Sequence, residues 1–342
     1  MKQENAIDSH RLDSDAVSSP QVTGENRGVM PPAPDTAMPE QPLSWKPSRE
    51  TTPFPVLAMY SMQSSSGIPL LLFFLTSCTT LLAGSYQEGG APFHHPSDIM
   101  LGIPFALTLM LILFVHEMGH YLTSKKYGVQ TSFPYFIPGP WFPYGIGTFG
   151  AFIQIRSPIL QKKALLDIGA AGPFAGFIVA MIAIAIGISG SQIVPIKEEM
   201  ALLQLGDPLV FSWMVSIMGR TPPEGFDLIL NSVAFAGWIG LFVTSLNLLP
   251  IGQLDGGHIA YALLGKKQKF CSIGMVFILC ILGTQGWSGW YIWAVMSVLL
   301  GMKHPSTLDE DRPLDFQHRM RGIASLILFI ITFMPVPIRM GT

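Results

Sequence analysis

The chain has 342 residues, 49% of them apolar and only 12% charged, where an ordinary soluble domain carries about 25% charge. That balance excludes a soluble globular protein, and a formal net charge of −2 with no basic run excludes a nucleic-acid partner. Cys78, Cys271 and Cys280 all lie in apolar segments without CxxC spacing, so they read as small buried apolar residues and not as a redox or metal set.

Residues 1–66 are rich in Pro, Ser, Asp, Glu and Gln and have no apolar period, which predicts a disordered cytoplasmic N-terminal tail. They lack the n-region and h-region of a signal peptide, and their acidic residues argue against a transit peptide. Residues 67–342 read as a single transmembrane domain. A spanning helix needs about 20 mostly apolar residues. Successive candidates are Ile68 to Tyr86, Ile99 to Tyr127, Leu165 to Ile188 and Leu228 to Pro250. Two short segments follow, Phe270 to Gly283 and Trp287 to Met302, joined by Gly283-Thr284-Gln285-Gly286 as a tight helical hairpin. Gly322 to Pro337 is the last. The expected fold class is an all-α polytopic membrane protein of six or seven transmembrane helices.

Two connections stand apart. Phe133 to Ser157 is apolar but crowded with Pro and Gly, so it cannot be a helix, and Thr148 to Ile155 has strand-like composition. Irregular backbone at membrane depth must pack on protein or line a wet cavity. The segment therefore reads as a re-entrant loop or β-hairpin (about 133–157) beside a functional site, the alternative being a cytoplasmic loop lying on the membrane surface. Ser189 to Asp227 is too short for an inserted globular domain of usual size.

With the N-terminus in the cytoplasm, the cytoplasmic connections carry Lys125, Lys126, Arg156, Lys162, Lys163, Lys266, Lys267, Lys269, Lys303, Arg312, Arg319 and Arg321. The opposite side carries only Lys197, Arg220 and Arg339, an asymmetry that fits the positive-inside rule. The expected location is a cell membrane, multi-pass, in a bacterial inner membrane.

The second apolar segment contains His116-Glu117-Met118-Gly119-His120. Four-residue spacing puts both imidazoles on one helix face, one turn apart, where they can grip one metal ion. Glu117, beside the first ligand, suits the general base that acts on the water such a metal activates. A catalytic zinc normally takes three protein ligands. The best third candidate is Asp255 in Asn247-Leu248-Leu249-Pro250-Ile251-Gly252-Gln253-Leu254-Asp255-Gly256-Gly257-His258, which follows the fourth segment and falls at matching depth. An ionisable residue there is functional by default. Asn247 would bring a neutral amide to the same region, able to hydrogen-bond a substrate carbonyl or oxyanion. Asp167 reads equally as a helix cap or a chemical group. His258 could be a ligand but reads better as structural or solvated, His304 reads as solvated, and His94 and His95 fall across the membrane. Gly169, Gly172, Pro173 and Gly176 read as small residues for close helix contact.

His116–His120 and Leu254-Asp255-Gly256, with Asn247 and Pro250 as an Asn-x-x-Pro element and Gly172-Pro173 in the third segment, resemble the site-2 protease family of intramembrane zinc metalloproteases, peptidase family M50. The similarity runs from about 99 to 258. It implies one Zn2+ held by His116, His120 and Asp255, with Glu117 activating the water. It also implies cleavage of single-span membrane proteins within the lipid bilayer, near the cytosolic face. The family's re-entrant segment holds an unwound substrate as an added strand, which here would use Thr148, Phe149, Gly150 and Ala151. The chain departs from well-known members in having no room for a peptide-binding domain between the third and fourth segments, and no appended regulatory domain after the last. The rival readings are a metal or ion transporter, against which no repeated halves are visible, and a catalytically inactive membrane scaffold.

Overall fold

The computed structural model describes residues 67–142, 145–196, 203–309 and 312–340. The expectation of a disordered tail over 1–66 lies outside the described residues, as does Lys197.

Helix α1 (Gly67–Gln87) is followed by a 3-10 turn (Pro96–Gly102) that leads into α2 (Ile103–Lys126). The apolar segment begins in that turn because Pro96 and Pro104 favour the start of a helix. A hairpin comes next, β1 (Tyr135–Pro138) against β2 (Thr148–Phe152), antiparallel, with Tyr135 opposite Phe152 and Phe136 opposite Ala151. An isolated bridge between Thr131 and Ile155 extends the pairing, so the strand-like stretch is real but breaks after Phe152. The hairpin leans on α1. Phe136 is buried and meets Phe73 edge-on at 5.1 Å, and the Thr79 hydroxyl donates to the Gly147 carbonyl at 2.6 Å.

Helix α3 (Lys162–Gly190) has 29 residues and is about 43 Å long. It is the central element, packing most extensively on α2 and on α5 (Ser232–Asn247) and next on α6 (Asp255–Leu264). Small residues allow this. A Cβ on Gly187 would lie 2.2 Å from the Ala234 nitrogen, so α3 and α5 touch backbone to backbone. Between α3 and α5 lies a small cap. Strand β3 (Gln192–Pro195) pairs with β5 (Phe226–Ile229), β4 (Leu203–Leu205) pairs with β6 (Ile338–Met340), and α4 (Leu209–Ile217) sits between them in sequence.

The fourth apolar segment is shorter than its composition predicts. Leu228 and Ile229 belong to β5, and α5 starts only at Ser232, because the Asn231 side chain accepts from the Ala234 amide and caps the helix there. At 16 residues α5 is about 24 Å long, less than the roughly 30 Å hydrocarbon core. Helices α7 (Gln268–Gln285) and α8 (Gly289–Leu300) form the expected hairpin around Gly286. Helix α9 (Phe316–Thr332) begins before the expected Gly322 because Asp315 caps it by accepting from the His318 amide, and it ends short of Pro335 and Pro337.

Among the described residues, four helical stretches are long and apolar enough to cross a membrane: Gly67–Gln87, Pro96–Lys126, Lys162–Gly190 and Asp255–Gln285. The last joins α6 to α7 through a 3-10 turn at Gly265–Lys267, where the sequence reading starts a span only at Phe270.

The α3–α5 contact makes a prediction. Gly187→Ala should force the helices apart and cost about 1–3 kcal/mol, lowering the thermal unfolding midpoint in detergent. Gly274→Ala, where a Cβ meets nothing within 4 Å, should leave the midpoint unchanged or raise it slightly.

Candidate metal centre

His116 and His120 lie one turn apart on the buried face of α2, at 3% and 6% exposure, with Glu117 beside them at 4%. Asp255 reaches them from another part of the chain. Helix α5 ends at Asn247, Pro250 prevents its continuation, and the chain turns back so that Asp255 becomes the first residue of α6. Ser272 on α7 secures this turn: its hydroxyl donates to the Pro250 carbonyl at 3.0 Å and accepts from the Gly252 amide and the Gln268 side chain.

The three candidate ligand atoms form a nearly equilateral triangle. The two Nε2 atoms are 3.2 Å apart, and Asp255 Oδ2 lies 3.3 Å from His116 Nε2 and 3.2 Å from His120 Nε2. Around a tetrahedral zinc with bonds of about 2.0–2.1 Å, neighbouring ligand atoms are about 3.3 Å apart. The donors therefore fit one face of a zinc tetrahedron, and among the described residues these three are the set of titratable side chains able to hold a metal ion. His120 Nδ1 stands 2.7 Å from the Ile168 carbonyl, so that nitrogen carries the proton and Nε2 keeps its lone pair for a metal.

Helix α3 shapes the pocket that holds the imidazoles. An added Cβ on Gly172 would lie 2.0 Å from His120 Nε2, and one on Gly176 would lie 3.0 Å from His116 Nδ1. One on Gly169 would meet the His258 Cβ at 2.9 Å and the Asp255 carbonyl at 3.0 Å. On α2, a Cβ at Gly119 would strike the Ala171 carbonyl at 2.6 Å. These residues carry no side chains where the ligands need space.

All the other residues expected at the site are gathered here. The Asn247 amide nitrogen lies 3.1 Å from His116 Nε2. The Ile153 backbone amide, just past β2, hydrogen-bonds the Glu117 carboxylate. A cavity of about 570 Å3 is lined by His116, Glu117 and Asn247 at one end and by Thr148, Phe149, Gly150 and Ala151 along one wall.

Some neighbouring residues depart from expectation. Asp167 caps nothing; α3 begins after Gln161 without a side-chain cap. Its buried carboxylate accepts from Arg321 at 2.6 and 2.7 Å and from the Tyr127 hydroxyl at 2.7 Å, tying the ends of α2, α3 and α9 together one residue from the carbonyl that orients His120. His304 is half-buried and not fully solvated: its Nε2 is 2.7 Å from His258 Nδ1, and its ring stacks on Tyr261. His94 and His95 are exposed. Ile168, Ile153 and Ser272 escaped the sequence reading. The first two act through backbone atoms that any residue type supplies, and Ser272 lies in an apolar stretch without a motif.

Fold and site together define a mostly helical chain, with four helical stretches suited to a membrane among the described residues, built around two histidines and a carboxylate able to hold one metal ion. The profile of peptidase family M50 matches residues 104–282, and the chain belongs to that family. It is 33% identical over 171 residues to a protein of Arabidopsis thaliana named probable zinc metalloprotease EGY2, chloroplastic, covering 48% of this chain and 29% of that protein. The EGY2 protein of Oryza sativa subsp. japonica is 35% identical over 173 residues, 48% of this chain and 30% of the relative. The probable zinc metalloprotease EGY1, chloroplastic, of the same rice is 29% identical over 298 residues, 79% of this chain and 50% of the relative. The chain thus spans about a third of the EGY2 proteins and half of the EGY1 protein.

Two outcomes test the site. Purified protein should carry one tightly held zinc per chain, and both Asp255→Ala and Gly172→Ala should lose it while keeping their far-UV helical signal; retention of zinc in either variant by elemental analysis contradicts the ligand set. Burial and the Asp167 carboxylate push the Tyr127 hydroxyl up to about 12. Its contribution to stability is therefore complete below about pH 10 and lost as the pH climbs through the raised value. Ultraviolet titration should show one tyrosine ionising late, returning toward 10 in Asp167→Asn.

Proposed function

We propose that this chain is an intramembrane zinc metalloprotease that hydrolyses peptide bonds within single-span membrane proteins, near the cytosolic face. The observation that carries the reading is the ligand triangle of His116, His120 and Asp255 standing beside Glu117 in one apolar cavity. The names of the curated relatives agree with zinc-dependent proteolysis.

A zinc ion held by the three residues supplies Lewis acidity, polarising a carbonyl and bringing the pKa of water toward about 7. Glu117 takes the proton of the attacking water and returns it to the leaving amine. The Asn247 amide, within reach of the same point, donates to the carbonyl oxygen as negative charge develops there. Ile153 holds the Glu117 carboxylate through its backbone amide, which keeps the base oriented without another charged residue. A helical substrate segment must unwind first, since its carbonyls are occupied by i→i−4 bonds. The β1–β2 hairpin, read as re-entrant, offers the outer edge of β2 at Thr148–Ala151 as a strand for the unwound segment.

Lys125 and Lys126 close α2, Lys162 and Lys163 open α3, and Lys266, Lys267 and Lys269 stand at the turn from α6 into α7; this basic clustering in the sequence supports a cytosolic opening and a cytoplasmic N-terminus. The apolar helices fit a multi-pass membrane location. A bacterial inner membrane conflicts with the relatives, which are named chloroplastic.

The test is Glu117→Gln in zinc-loaded protein reconstituted with a single-span membrane protein. Zinc should remain bound while cleavage falls by about 10²–10⁴-fold or more. Undiminished cleavage by the variant rules out Glu117 as the base.

A further inference from the structure

The cavity that opens from the base is apolar for most of its length, and its walls have a regular spacing. On α2, Leu109, Leu113 and Glu117 line it at intervals of four residues, so they stack along one face. On α5, Ile239, Val243 and Asn247 do the same, with Phe235, Trp238 and Phe242 filling the side of the face. The third wall is Phe149–Ala151 of β2, whose outer edge pairs with no strand among the described residues. Leu113 lies one turn from Glu117, and Val243 one turn from Asn247, each about 6 Å along its helix toward the α2 N-terminal side. Among the described residues, no charged side chain other than Glu117 lines the cavity, and polar Gln87 is part of its wall.

That spacing matches an extended chain. Residues two apart in a strand point the same way and lie about 6.6 Å apart. If the scissile bond sits between Glu117 and Asn247, a strand laid along β2 brings the side chain two positions away level with Leu113 and Val243. Protein interiors hold few voids larger than a water molecule, and ligand pockets run to about 300–1,000 Å3, so 570 Å3 is the size of a binding cavity and not of a packing fault.

We propose that the collar of Leu113, Val243 and the Phe149–Ala151 edge selects a large aliphatic or aromatic residue two positions from the scissile bond, on the side toward the α2 N-terminus. This rests on the hydrolase reading above and adds its side-chain specificity. A small residue leaves the collar unfilled, and a charged one would be buried without a partner. Val243 is the specificity-determining residue: it is half-buried, it faces the cavity, and its size sets the width beside the reaction centre.

The experiment uses the zinc-loaded full chain in detergent micelles. The probes are synthetic single-span peptides, identical except that each position of the span carries Ala, Leu, Phe or Asp in turn, with cut sites read by mass spectrometry. Wild type should favour Leu or Phe over Ala at the second position by roughly tenfold or more in kcat/KM, and Asp there should abolish the cut. Val243→Phe should shift the preference toward Ala, and Val243→Ala should raise Phe over Leu, with one zinc still bound in each as the check on folding. Active wild type with the same cut-site composition in both variants overturns the proposal while leaving the hydrolase reading intact. A stoichiometric phospholipid co-purifying with wild type and lost in Val243→Phe also overturns it, since the cavity is then a lipid site. Zinc-loaded wild type that cuts none of the peptides defeats the hydrolase reading and this proposal with it.

Discussion

The structure depends on the bare face of α3. Gly169, Gly172 and Gly176 recur at intervals of three and four residues, so they form one groove along a face of the helix. His120 lies over Gly172, His116 over Gly176, and the start of α6 over Gly169. Inside a membrane there is no hydrophobic driving force between helices, and close approach of backbones is what makes packing favourable. Here the same close approach sets the depth and direction of three side chains from two separate helices. The 3.2–3.3 Å triangle follows from that packing.

A cluster of two imidazoles and two carboxylates under lipid is expensive unless each polar atom has a partner. Backbone groups supply much of what is needed. The Ile168 carbonyl takes the His120 ring proton, and the Ile153 amide meets Glu117. Asn247 adds a neutral donor beside His116. Farther toward the Lys125–Lys126 end, Asp167 joins Arg321 and Tyr127, so the helix segment bearing Ile168 is held by α9 as well as by α2. Among the described residues, the groups that orient these three side chains add no competing negative charge, which leaves Glu117 the one carboxylate at the centre outside the candidate ligand set.

Much of this was legible in the chain. Helical spacing alone places His116 and His120 on one face, and the break at Pro250 with the Gly-Gly pair explains why Asp255 can return to them. The three glycines of α3 were readable as contact positions, but not as the mould of the imidazoles, because that needs the register of α2 against α3. Strand β2 was visible from Thr148 onward. Its partner β1 was hidden, since Tyr-Phe-Ile-Pro has no alternation to mark it. The fourth apolar segment was read too long because hydropathy does not register the Asn231 cap. His304 was misread for a similar reason: its contact with His258 is made across 46 residues and leaves no trace in local pattern. Long-range side-chain pairings such as Asp167 with Arg321 lie beyond any periodicity argument.

The most direct test of the central claim is zinc K-edge X-ray absorption on the purified full chain. The account predicts one metal site with two imidazole nitrogens and carboxylate oxygen at about 2.0–2.2 Å and no sulfur. A sulfur shell at about 2.3 Å, or a site lacking the paired imidazole signature, would show that the metal is held elsewhere and that the groove of α3 does not build its site.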